Sequence, residues 1–186
     1  MAIPWDSIKY FLTGFLIVLL PVYRRYYGTQ NFLWLSDIGL FLTIIALWLQ
    51  STLIMSIAAV GLLAVELFWN VDFFAHLLFK KKISGLSDYM FDSKYPLSLR
   101  ILSLFHIVIP SLWMVYFMHH QYDKHAICYF VPLYWVIITM TYWFTDPKEN
   151  INWVFVYKKR WWPLLLAVGF PLLIVLPTHV LLRVFA

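Results

Sequence analysis

Charged residues and cysteines are both scarce in this chain. Of its 186 residues, 12% are charged and 63% are hydrophobic, against about 25% and about 45–50% in soluble domains. A chain this apolar cannot cover its surface with polar side chains, which excludes an ordinary soluble domain. Cys128 is the single cysteine, and this excludes an intramolecular disulfide and a cysteine-based metal site. Phosphate-binding glycine loops, Gly-x-Ser-x-Gly elbows and His-Glu-x-x-His motifs are absent as well.

Six apolar stretches are long enough, or nearly long enough, to cross a bilayer as helices, since a core about 30 Å thick takes about 20 helical residues. They are Ile8–Tyr23, Asn31–Leu49, Ser51–Trp69, Ile101–Met118, Ala126–Phe144 and Trp161–Leu182. Only Gln50 separates the second stretch from the third, which predicts a tight hairpin or a nearly continuous pair. Asp6 precedes the first stretch and no basic leader is present, so we expect that stretch to be a retained span. The sequence predicts an all-α transmembrane bundle, with residues 1–186 as one domain.

The basic residues indicate the orientation of this bundle. With six spans, eleven of the fourteen Lys and Arg residues fall on one side. They are Arg24, Arg25, Lys80, Lys81, Lys82, Lys94, Arg100, Lys148, Lys158, Lys159 and Arg160. By the positive-inside rule this side is cytoplasmic, which places both termini on the non-cytoplasmic side of a cell membrane, such as a bacterial inner membrane.

Lipids are the first partners that this distribution predicts. We expect anionic headgroups to bind the basic residues next to the third and sixth spans, Lys80, Lys81, Lys82, Lys158, Lys159 and Arg160. The same placement explains the net charge of +5 without a nucleic-acid partner. Tyr23, Tyr26 and Tyr27, which follow the first span, are typical of an interfacial aromatic belt.

Ionisable side chains inside the predicted spans indicate a candidate site, because such groups cost about 2.5–3.5 kcal/mol each in the bilayer. Asp37, Glu66 and His106 occur in three spans at one predicted depth, near the cytoplasmic end. We predict that His106 is a general base, with Asp37 as its orienting or charge-stabilising partner. Ser36 is the candidate nucleophile. Neighbouring helix positions point about 100° apart, so Ser36 and Asp37 are not expected to face one pocket equally.

Further residues are expected around this pocket. The predicted substrate-binding residues are Glu66, Asp72, Asn150 and Asn152. Pro110 removes the amide partner of the His106 carbonyl, which leaves that oxygen for water, a hydroxyl or a substrate group. The alternative is that the buried polar groups form only a salt bridge or hydrogen-bonded network that holds the bundle together.

Histidines also cluster at the opposite, non-cytoplasmic end. The cluster consists of His119, His120, Asp123 and His125. Such a set can bind zinc, but its spacing matches no strong zinc signature, and an ordinary polar turn is the alternative. No metal ligand is assigned on this basis, and the cofactor is left open.

Three short motifs carry a resemblance to known membrane proteins. They are FLWLSD at residues 32–37, FHIVIP at 105–110 and NWVFVYKKRWWP at 152–163. They look like a class of compact six-span bacterial inner-membrane proteins of uncharacterised function, and they resemble the androgen-induced membrane hydrolases. Those hydrolases are lipid esterases with a threonine nucleophile in an early span and a histidine in a later one. The resemblance implies that His106 is the histidine, whereas the threonine position falls at or near Trp34, with Ser36 as the nearest hydroxyl.

Three functions remain open at this point. The leading one is a membrane-embedded enzyme that acts on a lipid or other amphipathic substrate from the cytoplasmic leaflet, with ester hydrolysis as the candidate reaction. A non-enzymatic assembly or partner subunit is the second, either as a homo-oligomer or beside another membrane protein, and a small oligomeric transporter is the third. The second is favoured by the 20% aromatic content and by a stripe of small and polar residues on the second span. That stripe consists of Ser36, Gly39, Thr43, Ala46 and Gln50.

Overall fold

The described part of the chain folds into six helices. A computed structural model describes residues 3–157 and 161–185 as all-α, 77% helical and without strands in those ranges. The helices are α1 (Trp5–Tyr27), α2 (Leu35–Leu49), α3 (Thr52–Phe79), α4 (Leu97–Phe117), α5 (Ala126–Phe144) and α6 (Trp162–Phe185). All except α2, which has 15 residues, are long and apolar enough to cross a membrane. This set of helices is consistent with a multi-pass membrane protein.

Helix α3 is the centre of the bundle and packs against α2, α4, α5 and α6. In its most apolar 18-residue stretch 56% of the residues are buried, against 11% in α1 and 17% in α6. Small residues permit this close packing. The ring of Phe130 on α5 lies directly against Gly61, where a Cβ atom would overlap it.

The turn between α2 and α3 is a tight hairpin. Gln50 ends α2 in the left-handed conformation, with φ 50° and ψ 39°. Ser51 then begins α3, and its hydroxyl accepts a hydrogen bond from the Ile54 amide at 3.3 Å. Of the two arrangements that the sequence left open, the structure has the hairpin and not the nearly continuous pair.

The small-residue stripe of α2 packs largely inside this chain. Gly39 faces the Leu62 side chain of α3 and the Trp113 ring of α4. Next along the stripe, the Thr43 hydroxyl accepts a hydrogen bond from Trp113 Nε1 at 2.8 Å. Much of the stripe is therefore used by intramolecular contacts and is not left as a lateral interface.

Helix α3 extends ten residues beyond the predicted end of the third span at Trp69. No proline or glycine interrupts residues 69–79, so the helical hydrogen bonds continue. The helix ends at Lys80, whose φ of 54° is left-handed. As a result Glu66 lies near the middle of α3 and not in its last turn.

Helix α4 is divided in two. Its segments are Leu97–Leu102 and Phe105–Phe117, and the break at residues 103–104 lies more than one turn before Pro110. This arrangement begins the helix four residues earlier than the predicted span, which started at Ile101. At the break Ser103 is buried, and its hydroxyl lies 2.7 Å from the Tyr23 hydroxyl of α1.

Helix α6 contains a π-turn at Pro171–Val175. Pro171 has no N–H, so the Ala167 carbonyl four residues earlier lacks its helical partner. Trp135 Nε1 of α5 donates to this carbonyl at 2.8 Å, and the neighbouring Tyr134 hydroxyl donates to the Leu166 carbonyl at 3.1 Å. The proline thus creates the polar contact that joins α5 to α6.

Basic residues follow the end of α3. Lys80, Lys81 and Lys82 are exposed, and Lys82 Nζ forms an ion pair with Asp88 Oδ2 at 2.8 Å. The other residues predicted at anionic headgroups, Lys158, Lys159 and Arg160, lie outside the described ranges. Headgroup binding stays a prediction for both groups.

Candidate functional site

A cavity of about 540 Å³ lies at the end of the bundle where α2 begins. Residues from α1, α2, α3, α4 and the connections 80–96 and 145–161 line it. Nine of the lining side chains are aromatic, namely Tyr23, Tyr26, Tyr27, Trp34, Trp69, Tyr89, Tyr95, Phe105 and Trp153. Lys148 and Glu149, which are exposed, form a polar rim. An apolar chamber with few polar groups is the usual form of a small-molecule site.

The structure brings the main predicted site residues together in this cavity. Ser36, Asp37, Glu66, His106 and Asn152 all line it, although they come from three helices and one connection. Both Ser36 and Asp37 line it, although neighbouring helix positions were not expected to face one pocket equally. Their catalytic and binding roles remain predictions.

His106 is held by Glu66. Its Nδ1 lies 2.7 Å from Glu66 Oε2, and the two side chains are 13% and 4% exposed. A carboxylate accepts the Nδ1 proton, which leaves Nε2 as the basic nitrogen. The imidazole ring also stacks on Trp69 at 4.6 Å and on Phe105 at 4.3 Å. Ring orientation and tautomer are therefore both defined by contacts.

The partner of His106 differs from the one predicted. The sequence analysis assigned the orienting role to Asp37, but the carboxylate bonded to the imidazole belongs to Glu66. Equal depth along three helices did not distinguish the two acids, because the rotation of each helix about its axis decides which side chain reaches His106. A spacing of four residues between Glu66 and Asn70 was the available signal, since it places both on one face of α3.

The carbonyl of His106 is not left for a substrate. Asn70 Nδ2 donates to it at 2.7 Å and also to the Glu66 carbonyl at 2.8 Å. Pro110 does free this oxygen from the helix, as predicted, but a side chain of α3 takes the place of the missing amide. Asn70 and Glu66 together attach the second segment of α4 to the middle of α3.

Asp37 is buried beside the cavity with half of its carboxylate unused. It is 2% exposed. Its Oδ2 accepts a hydrogen bond from Asn31 Nδ2 at 3.1 Å. Its Oδ1 is buried and has no hydrogen-bond partner among the described residues. A buried acceptor without a partner is costly, so such an atom calls for an explanation.

Asn152 fastens the connection 145–161 to the start of α2. Its Oδ1 accepts from the Leu35 amide at 3.0 Å, and its Nδ2 donates to the Leu33 carbonyl at 2.7 Å and to Thr141 Oγ1 at 3.2 Å. These bonds use the whole amide, so Asn152 shapes the cavity by positioning backbone. Asn150 is not among the lining residues, and its Oδ1 accepts from the Phe155 amide at 2.8 Å within the connection.

Asp72 lies outside the cavity lining, which corrects its assignment as a substrate-binding residue. Five donors surround its carboxylate. They are the amides of Ile83, Ser84, Gly85 and Ser87 at 2.7–3.2 Å and the Ser87 hydroxyl at 2.6 Å. This carboxylate folds the connection after α3 and has no capacity left for a substrate.

Tyrosines in the cavity wall were missed as site residues. Tyr23, Tyr26 and Tyr27 were interpreted as an interfacial belt, yet all three line the cavity. Burial raises the pKa of the Tyr89 phenol above its usual range, so this hydroxyl stays neutral and able to donate. The only signal in the sequence for this role was that tyrosines recur near the predicted layer of Asp37, Glu66 and His106.

The histidine cluster at the opposite end forms local contacts. His125 Nδ1 lies 3.0 Å from Asp123 Oδ1, and His120 Nδ1 lies 3.1 Å from the Tyr116 carbonyl. Within residues 3–157 and 161–185, no three His, Cys, Asp or Glu side chains are grouped so as to hold a metal ion. These contacts are those of a polar turn.

Comparisons with protein families, with curated proteins and with solved structures find no match to this chain. The resemblance to the androgen-induced membrane hydrolases therefore stays an expectation. Function has to be argued from the chemistry of the cavity, in which a carboxylate-bonded histidine and a serine share an aromatic chamber.

Proposed function

We propose that this protein is a membrane-embedded hydrolase that cleaves an ester in an amphipathic substrate held in the aromatic cavity. The observation that carries the proposal is the 2.7 Å contact between Glu66 and His106 on the cavity wall. In this assignment His106 is the general base, Glu66 positions it, and Ser36 is the nucleophile. Asp37 does not orient His106 in this assignment, so its carboxylate can have a different role.

Ser36 is favoured as nucleophile over the other serine of the cavity. The Ser103 hydroxyl lies 2.7 Å from the Tyr23 hydroxyl and is engaged there. Ser36 lies in the first turn of α2, where backbone amides have no helical acceptor. Amides in this position can donate to an oxyanion as negative charge develops on the ester carbonyl.

The reaction then follows the usual course of acyl transfer. His106 Nε2 takes the proton from Ser36 Oγ as the oxygen attacks the ester carbonyl carbon. The bond from that carbon to the alcohol oxygen breaks, and His106 returns the proton to the leaving alcohol. A water molecule then gives a proton to the same nitrogen and attacks the acyl carbon. The bond from that carbon to Ser36 Oγ breaks, His106 returns the proton to Ser36 Oγ, and the acid is released.

The membrane supplies the substrate in this proposal. The cavity lies at the same end of the bundle as the exposed Lys80, Lys81 and Lys82, which follow the end of α3. By the positive-inside rule these lysines belong to the cytoplasmic side, so entry is from the cytoplasmic leaflet. Aromatic walls suit the apolar part of an amphiphile, and the Lys148–Glu149 rim suits its polar part.

A fluorophosphonate probe tests this assignment, because it labels a serine only where a base activates the hydroxyl. We expect wild-type protein in native membranes to be labelled and Ser36→Ala to be unlabelled. The labelling rate of His106→Ala should fall at least about 100-fold. Ser111→Ala is the matched control, since Ser111 lies on the same helix as His106, outside the lining, with its hydroxyl bonded to the Ile107 carbonyl at 2.8 Å.

Two results would contradict the proposal. One is the absence of labelling in wild-type protein that remains monodisperse and helical after extraction. The other is labelling that persists in Ser36→Ala, because the nucleophile would then be a different residue. A rate for His106→Ala equal to that of the Ser111→Ala control would remove the histidine from the mechanism.

A further inference from the structure

Asp37 has a carboxylate oxygen without a partner among the residues that the structure describes. The side chain lines the cavity and is only 2% exposed. Asn31 bonds to Oδ2, while Oδ1 has no donor among the described residues. A buried carboxylate is costly unless a cation or several donors compensate it. A ligand with a positive charge would therefore stabilise this carboxylate.

The charges that face the cavity favour a cation as this partner. Among the described residues, Asp37, Glu66 and Glu149 line it together with one lysine, Lys148. Glu66 is engaged by His106, and Glu149 Oε1 accepts a hydrogen bond from Gln30 Nε2 at 2.9 Å on the exposed rim. Lys148 is exposed on that rim as well. In the part of the chain that the structure describes, Asp37 is thus the one lining carboxylate that has a buried oxygen without a hydrogen-bond donor.

The aromatic wall is suited to the same kind of group. Aromatic rings attract an organic cation through the negative faces of their π systems, and tryptophan and tyrosine do so best. Five tyrosines and three tryptophans line this cavity. Contacts between the rings hold them in place. The distance between ring centroids is 5.5 Å for Tyr23 and Tyr27, 6.0 Å for Tyr27 and Tyr95, and 6.0 Å for Trp34 and Trp153.

We propose that the cavity selects amphiphiles whose head carries an ammonium group, with Asp37 as the counter-ion and the tyrosines and tryptophans as the surrounding cage. The proposal rests on the proposed function for the identity of this cavity as the substrate site, and it adds the substrate class. Ser36 and Asp37 are consecutive, so their Cα atoms are about 3.8 Å apart. The ester that Ser36 attacks then lies only a few bonds from the ammonium nitrogen.

Equilibrium binding of decylammonium to the purified full-length protein in neutral maltoside micelles tests the selection. Decanol has the same chain without the charge, and decyl sulfate reverses the charge. We expect decylammonium to bind about tenfold more tightly than decanol and decyl sulfate to bind more weakly than either. The comparison of three ligands on wild-type protein does not depend on any variant folding correctly.

The variant that locates the preference is Asp37→Asn, which keeps the shape of the side chain and removes its charge. It should lose most of the preference for decylammonium over decanol and keep only the part that the aromatic cage supplies. Asp6→Asn is the control, because it removes the same charge from a side chain that is 80% exposed and outside the lining, and it should keep the tenfold preference. Equal binding of the two ligands by wild-type protein, or a full tenfold preference retained by Asp37→Asn, would overturn the proposal.

The ammonium group can belong to a lipid head or to a soluble amine, and competition separates these sources. Phosphatidylethanolamine in nanodiscs should displace decylammonium if the source is a lipid, and phosphatidylglycerol should not. Displacement by ethanolammonium in solution with no effect of either lipid would assign the site to a soluble amine. Displacement by phosphatidylglycerol alone would contradict ammonium selection.

Failure of this inference and failure of the hydrolase assignment give different results. Binding is measured without turnover, so Ser36→Ala should keep the ammonium preference. Loss of fluorophosphonate labelling with an intact preference would remove the hydrolase and keep the ammonium site. Labelling without any preference for decylammonium would keep the hydrolase and remove the ammonium site.

Discussion

Two buried aspartates of this protein, Asp72 and Asp37, have opposite surroundings. Asp72 is 1% exposed and Asp37 is 2% exposed, so burial does not distinguish them. Five donors of the connection after α3 surround the carboxylate of Asp72. Asp37 has a single donor, from Asn31, and a free oxygen beside a cavity.

The difference separates a structural acid from a candidate functional one. A buried carboxylate that is fully hydrogen-bonded stabilises the fold, and its removal leaves several donors without an acceptor. A buried carboxylate with an unused oxygen contributes little to the stability of the fold. Its burial costs free energy, and a functional role explains why it is kept. The sequence analysis placed both acids at one site, and only their hydrogen bonds distinguish them.

The largest effect on stability is expected from Asp72→Asn. The asparagine side chain has an NH2 group in place of one carboxylate oxygen, and this group would face the backbone N–H donors. Several hydrogen bonds to a charged acceptor are therefore lost. We expect the free energy of unfolding to fall by about 2–4 kcal/mol, which lowers the apparent Tm by about 10 °C. Thermal unfolding in detergent measures this change.

Asp92→Asn serves as its control, because Asp92 lies in the same connection and its Oδ1 accepts from one amide, that of Lys94 at 2.9 Å. It should shift the Tm by no more than about 2 °C. Equal shifts for the two variants would show that the five bonds around Asp72 do not stabilise the connection.

A smaller loss is expected from Gly85→Ala, which disturbs the same group of donors through the backbone. Gly85 has a φ of +81° and donates its amide to Asp72 at 3.2 Å. Alanine disfavours this φ, and we expect a loss of about 1 kcal/mol. The measurement is again the apparent Tm, which should fall by about 3 °C.

Gly14→Ala provides the comparison. A Cβ atom there would meet nothing within 4 Å, and Gly14 lies within helix α1, where alanine is preferred. Its Tm should be unchanged or slightly raised. If Gly85→Ala behaves in the same way, the left-handed turn is not needed to present the amides to Asp72.

The smallest effect on stability is expected from Asp37→Asn, which sharpens the contrast between the two acids. The substitution removes a buried charge that has one donor, and its side-chain oxygen can still accept from Asn31. Because an uncompensated buried charge is costly, the apparent Tm should stay within about 2 °C of wild type or rise. A fall as large as that of Asp72→Asn would mean that Asp37 is structural and that the ammonium assignment has lost its basis.

Several features of the fold could be predicted from local composition. Long apolar segments predict helices wherever they occur, and the described part of the chain has six helices in the predicted order. Gln50 marked the boundary between α2 and α3, but the sequence left the hairpin and the nearly continuous pair as alternatives. The end of α3 could not be placed in this way, because Trp69 resembles an interfacial boundary although the helix continues to Phe79.

The candidate site was predicted as a layer and not as a set of contacts. Depth along a helix follows from residue number, so the sequence by itself determined that Asp37, Glu66 and His106 lie near one level. The contacts depend on helix rotation, which is set by packing such as Phe130 against Gly61. Only the tertiary structure therefore decided that Glu66 and not Asp37 bonds to His106. It also decided that Asp37, which lines the aromatic cavity, keeps a free oxygen. Both outcomes depend on hydrogen bonds near 2.7–3.1 Å, and no linear pattern encodes atomic positions to within an ångström.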